Sequence, residues 1–138
     1  MPIKVMHVLH DARWSGLPAQ AFHVFTNLDP QKVSASVLFA DEGVYTQLSR
    51  EKGIPVTVFA KRRPFLWRFN RFLFNLKLPG LLKNVDVVHI HSYLLAPTVL
   101  FAKWLGACVV FHIVESPRWA GPLLKRALAI ADCVVYCG

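Results

Sequence analysis

The sequence predicts a doubly wound α/β domain: a Rossmann-like, mostly parallel sheet with helices on both faces. Short apolar runs such as Val85 to Ile90 and Ala107 to Val114 lack clean alternation, as strands buried on both faces do. Segments long enough for helices separate these runs. Strand and helix signals alternate along the whole chain, the pattern of linked βαβ units with right-handed crossovers.

Each element follows from local chemistry. Ile3 to Leu9 is the first strand and ends in His10-Asp11-Ala12-Arg13-Trp14-Ser15-Gly16. Gly16 followed by Pro18 suits a turn into a helix, with proline near the first helical position. That helix runs from Leu17 to Leu28, with Ala21, Val24, Phe25 and Leu28 on one face. Val33 to Phe39 alternates as a second strand, Gly43 to Lys52 is a short helix closed by Gly53, and Ile54 to Ala60 is a third strand. A basic segment from Lys61 to Lys83 is helical from about Phe65, and Pro79-Gly80 is expected to break it. The fourth strand ends at His91-Ser92 and feeds a helix from Leu94 to Leu105 that stops at Gly106. A fifth strand, Ala107 to Val114, a helix from Pro117 to Ala131 and a last apolar run from Cys133 to Tyr136 complete the chain. A final strand this close to Gly138 is expected to belong to a longer protein or to be completed by a partner.

At 138 residues the chain is one domain, residues 1–138, large enough to bury a core. Mean hydropathy of +0.39 excludes intrinsic disorder. The longest apolar candidate, Leu94 to Ile113, is interrupted by Lys103 and Gly106, so no spanning helix is expected; the N-terminus does not read as a signal peptide. Cys108, Cys133 and Cys137 form no disulfide framework, which suits a reducing cytoplasm. Cys133 and Cys137 share a strand face and are expected to pack as small apolar residues.

The net charge of +8 is local. From Lys52 to Val85 there is no Asp or Glu, and the eight basic residues Lys52, Lys61, Arg62, Arg63, Arg68, Arg71, Lys77 and Lys83 supply the whole excess. On a helix, Phe65, Phe69, Phe72 and Leu76 form one stripe, expected to face the core. Trp67 and Phe74 lie nearly opposite, beside Arg68 and Arg71. Exposed aromatics among arginines suit an interfacial helix, with rings at the acyl boundary and cations on anionic headgroups. Arg62, Arg63, Trp67, Arg68, Arg71 and Phe74 are the candidate membrane contacts. A second apolar patch against a neighbouring domain, or stacking on nucleic acid, are the alternatives, with nucleic acid ranked last.

In open parallel sheets ligands bind beyond the carboxyl ends of the strands. His91 and Ser92 lie at that end of the fourth strand, Ser15 and Gly16 follow the first, and Glu115 follows the fifth. Backbone amides at a strand-to-helix turn bind anions, although neither a Rossmann glycine triplet nor a Walker sequence is present. His89 and His91 alternate on one strand, and His112 falls on the next. No carboxylate or cysteine stands at matching spacing, so no metal site is expected. His10, His112 and Glu115 are candidates for proton transfer or hydroxyl recognition; for Glu115, a charge favoured at a helix N-terminus is an equal explanation.

Asp86-Val87-Val88-His89-Ile90-His91-Ser92, followed by an apolar helix, a glycine and Val109-Val110-Phe111, resembles the N-terminal domain of family 4 glycosyltransferases of the GT-B fold. The ending Leu124-Lys125-Arg126-Ala127-Leu128 through Ala131-Asp132-Cys133-Val134-Val135 is similar to that domain's closing pattern, and Ser15-Gly16-Leu17-Pro18-Ala19 sits where the family has two glycines. The resemblance implies the acceptor-side half of an enzyme that moves a sugar from a nucleotide sugar to a glycan or lipid-linked acceptor in polysaccharide or glycolipid assembly. It implies work at the cytoplasmic face of the membrane, with the basic helix as the membrane contact. It also implies that a second domain or separate subunit holds the nucleotide-sugar donor, so that this chain binds no cofactor and alone is inactive. By the same resemblance, Ser15, Gly16, His91 and Ser92 would bind substrate, and His112 or Glu115 would orient the acceptor hydroxyl. Two departures stand out: Ser15 replaces the first glycine, and the family's histidine after the fifth strand falls nearest Val114-Glu115.

Overall fold

A computed structural model describes residues 1–60, 67–114 and 120–137, with backbone alone at 60 and 67–74. Six strands form one sheet in the order β3-β2-β1-β4-β5-β6, every neighbouring pair parallel. They are β1 (Ile3–Leu9), β2 (Val33–Asp41), β3 (Val56–Ala60), β4 (Val87–His91), β5 (Cys108–Ile113) and β6 (Cys133–Tyr136). The helices between them are α1 (Gly16–Thr26), α2 (Val44–Glu51), α3 (Trp67–Leu82), α4 (Ala96–Trp104) and α5 (Pro122–Ile130), with a single 3-10 turn (Tyr93–Leu95) ahead of α4. The predicted Rossmann-like class holds.

Alternation along the strands splits the core in two. Met6, Val8, Leu38, Val88, Ile90, Val109, Phe111 and Ile113 point to the face covered by α3, α4 and α5. Leu9, Val37 and Phe39 point to the other, where α1 contributes Leu17, Ala21 and Phe25 and α2 contributes Tyr45. Two aspartates fix strand register. Asp86, just before β4, accepts the backbone N–H of Lys4 at 2.8 Å. Asp132, just before β6, accepts the N–H of Val109 at 2.7 Å and pairs with Lys103 at 2.8 Å. The Asp-Val-Val and Ala-Asp segments of the sequence are thus clips between neighbouring strands.

Three expectations need correction. α3 does not break at Pro79-Gly80 but runs through to Leu82. Leu78 and Leu82 are buried, and their combined burial, roughly 2 kcal/mol or more each, outweighs the ~3 kcal/mol cost of an internal proline. Leu76, placed on the core stripe by periodicity, is 51% exposed, because Leu78 and Leu82 set the buried face of the described turns. Cys133 does not pack inside: it lies exposed on β6, the edge strand. The expected helix start at Phe65 and the candidate contacts Arg62 and Arg63 lie outside the described residues, as do the side chains of Trp67, Arg68, Phe69, Arg71, Phe72 and Phe74.

Candidate functional site at the carboxyl edge of the sheet

The strand order reverses direction between β1 and β4, since the chain leaves β1 toward β2 and leaves β4 toward β5. This is the switch point at which such sheets open a crevice. Two loops meet there: residues 10–15 after β1, and Ser92 after β4.

Ser92 is the most constrained residue of the edge. Its φ of 130° is the only positive value at a non-glycine residue among the described residues, and such backbone costs about 1–3 kcal/mol unless its surroundings enforce it. They do so here. The Ser92 N–H donates to the carbonyl of His112 at 3.0 Å, its carbonyl accepts from Leu95 at 3.1 Å, and its Oγ accepts from the N–H of Leu94 at 3.2 Å. β4, β5 and the start of the next helix are locked together at one residue.

Behind Ser92 stands a column of imidazoles. Register places His7 of β1 beside His89 of β4, and His91 of β4 beside His112 of β5, all on the α1 side of the sheet. His89 and His91 stack at 4.0 Å between ring centroids, and His112 lies 5.3 Å from His91. His7 Nδ1 and His91 Nε2 are 3.0 Å apart, a hydrogen bond in which one ring donates. His112 Nε2 meets the Cys137 sulfur at 3.1 Å, and the Gln20 amide donates to the same sulfur at 3.6 Å.

The column is held neutral. Burial, reinforced by the charge of His89, lowers the pKa of His7 to about 3. Burial, reinforced by His112, lowers that of His89 to about 4. His91 and His112 move down for the same first reason, burial. Four ring nitrogens, His7 Nε2, His89 Nε2, His91 Nδ1 and His112 Nδ1, are buried without a hydrogen-bond partner among the described residues. One nitrogen from each of His7, His89 and His91 lies within 4.8 Å of the others, a donor set that suits Zn²⁺-like ions. The 3.0 Å pairing of His7 with His91 accounts for the packing of those two rings without an ion.

The predicted residues therefore divide. His91, Ser92 and His112 form one contact group, with His91 fully buried and Ser92 and His112 nearly so. Ser15 and Gly16 open α1 on the neighbouring loop and are exposed. Ser15 is the N-cap by position but makes no side-chain cap hydrogen bond, and the first turn of α1 holds no acidic residue. Its leading amides thus carry the positive end of the helix dipole at this edge of the sheet. Glu115 lies outside the described residues.

Sequence reasoning missed two parts of this edge. His7 reads as one residue of an apolar strand; its spacing from Leu9 was the available signal that it shares the face of the β4 histidines. Gly43 packs so tightly on the Ala12-Arg13 backbone that a Cβ there would collide with the Ala12 carbonyl. The loop itself is braced by Asp11, whose carboxylate accepts from the Arg13 backbone N–H and Nε at 2.9–3.0 Å. Burial pulls the Asp11 pKa upward, but the hydrogen bonds and charge of Arg13 outweigh it and hold the group below its ordinary value.

No family model matches the chain, and no curated protein matches it. Solved structures do. MurG of Acinetobacter baumannii superposes with a TM-score of 0.72 at 23% identity, covering 99% of this chain and 41% of that one. HepE of Anabaena, in complex with UDP and glucose, gives 0.73 at 16% identity over 96% of this chain and 37% of that one. A candidate UDP-N-acetylglucosamine 2-epimerase of Listeria monocytogenes gives 0.65 at 12% identity, covering 97% and 39%. These likenesses show the fold: a Rossmann-like domain that each of these longer proteins contains. The chain spans about two fifths of the length of the structures it resembles.

Proposed function

We propose that this chain is the acceptor-binding half of a glycosyltransferase of family 4 type, acting on a glycan or lipid-linked acceptor. The observation that carries the reading is the shared edge: Ser92, forced to φ 130°, and the uncapped first turn of α1 flank the point where strand order reverses. Donor phosphates would approach the Gly16 and Leu17 amides, since Pro18 has none to offer. Among the described residues, a Cβ at Gly16 would meet no atom within 4 Å, which is compatible with a ligand lying against the backbone there. His112 or Glu115 would orient the acceptor hydroxyl. His91, sealed beneath, would position Ser92 and His112 rather than touch substrate.

A second domain or subunit would hold the nucleotide sugar, and no cofactor would bind to this half. The basic segment, with Arg62, Arg63, Trp67, Arg68, Arg71 and Phe74, would seat the protein on an anionic membrane at the cytoplasmic face. No described helix is long and apolar enough to cross a membrane. The test supplies the full-length protein with nucleotide sugars and lipid-linked acceptors. Labelled sugar should pass to the acceptor, and His112→Ala should slow transfer at least about tenfold. Epimerisation of the donor without transfer would overturn the reading.

The clustered charge favours one competing reading, a non-catalytic basic module on anionic membrane or nucleic acid. Salt-steep binding to single-stranded nucleic acid, with no sugar transferred, would establish it.

A further inference from the structure

Trp14 contributes little to the core, yet it is held in place. It lies on the loop after β1, beyond the carboxyl edge of the sheet, and is 75% exposed. One face of its indole stacks on Tyr45 at 5.6 Å and 15° between planes. Tyr45, at the start of α2, is buried against Phe22 at 5.5 Å, and its N–H donates to the Ala12 carbonyl at 3.0 Å. The Arg13–Asp11 brace and the close approach of Gly43 fix the backbone on either side. The other face of the ring meets solvent.

Leaving so large an apolar surface in water while fixing its position forgoes both burial and conformational freedom. Such a ring is prepared for a ligand of matching shape. We propose that Trp14 is a saccharide platform, on which one pyranose ring lays its C–H face while the outer N–H groups of Arg13 donate to the sugar hydroxyls. The polarised C–H bonds on one face of a pyranose meet the negative face of the indole. The Arg13 side chain, 65% exposed beside it, supplies the directional hydrogen bonds that stacking alone lacks. This rests on the sugar-transfer reading above and deepens it by naming where an acceptor ring would sit.

The experiment uses the full-length protein with methyl glucopyranoside, a short oligosaccharide and uridine as separate probes. Saturation-transfer NMR on each probe reads contact directly, without sugar transfer. The pyranose C–H protons should saturate, and Trp14→Ala should weaken saccharide binding roughly tenfold while Trp14→Phe keeps most of it. Arg13→Ala should weaken it too. The unfolding midpoint of Trp14→Ala should stay within about 2 °C of the parent, because the ring is exposed. Unchanged saccharide binding in Trp14→Ala would overturn the platform, as would loss of uridine binding alone, which would make the ring a base-stacking site. If saccharides bind through Trp14 but no sugar is transferred, the platform stands and the transfer reading falls. If transfer proceeds with an unaltered acceptor KM in Trp14→Ala, the reverse holds.

Discussion

The two faces of the same strands obey different rules. Toward α3, α4 and α5, β1, β4 and β5 present Met6, Val8, Val88, Ile90, Val109, Phe111 and Ile113, an aliphatic and aromatic surface with every atom content to be dry. One residue along in each strand, toward α1, the same backbone presents His7, His89, His91 and His112. The first face is chosen for volume. The second accepts buried, unpartnered ring nitrogens that an aliphatic residue would avoid, each at a cost of about 1–3 kcal/mol if it carries a proton. A sheet that can be built from valines and isoleucines on one side has no folding reason to install four imidazoles on the other. The histidine face lies against the edge where Ser92 is strained, and that proximity ties the expenditure to function.

The sharpest way to separate the faces is acid. An unfolded histidine titrates near 6.5, whereas His7 and His89 stay neutral down to about 3 and 4, and His91 is depressed as well. Below 6.5 the unfolded chain binds protons that the folded chain refuses, so stability is complete above that value and falls as pH drops. Each of the three contributes about 1.4 kcal/mol per pH unit, on the order of 5 kcal/mol in all between pH 7 and pH 5. Urea unfolding at pH 7, 6 and 5 measures it. A flat profile would mean that the imidazoles are hydrated and that the column is not sealed.

The aliphatic face should answer instead to volume. Phe111→Ala removes a fully buried ring between β5 and the α4–α5 layer and should cost about 4 kcal/mol at any pH. A loss that grew sharply on acidification would show that the two faces are coupled through the sheet. The double variant His7→Leu/His91→Leu removes both members of the 3.0 Å pair at once. It should move stability at pH 7 by no more than about 1 kcal/mol, because no partner is left stranded, and should remove about two thirds of the acid loss. A single His7→Leu should do worse, leaving His91 without its hydrogen bond.

How legible was this contrast in the chain itself? Strand existence was plain, since parallel strands buried on both faces leave unbroken apolar runs, and β1 and β6 match their expected limits residue for residue. The pairing of His89 with His91, and of His91 with His112, followed from alternation and strand adjacency. What escaped was long-range. Pro79-Gly80 is a helix breaker by local rule, and only the seats of Leu78 and Leu82 in the core reveal that the local rule loses. Ser92 carries no local mark of a positive φ, because the strain is imposed by His112 across the strand gap. Gly43 looked like a helix boundary, although its lack of a side chain serves the Ala12-Arg13 loop of a different unit. The fold is thus written in local pattern, whereas the candidate site is written in contacts between loops that are distant in sequence.

The smallest expected effect tests the clips that keep the two faces in register. Asp132 does two things: it pairs with Lys103 and accepts the Val109 N–H at the start of β5. Its pKa lies below the ordinary value first because of the Lys103 hydrogen bond and then because of Val109. The pair with Lys103 is exposed and screened, so it should matter little. The backbone contact should matter more, because a one-residue slip of β6 would send each of its side chains to the opposite face and carry Cys137 away from His112. Asparagine keeps a side-chain oxygen for Val109 while losing the charge, and alanine loses both. Asp132→Asn should therefore shift the thermal midpoint less than Asp132→Ala, and 0.5 M salt should narrow the gap between Asn and the parent but not the gap between Asn and Ala. Equal midpoints for the two variants would mean that the side-chain contact with the Val109 N–H contributes nothing to holding β6 and that only the charge pair matters.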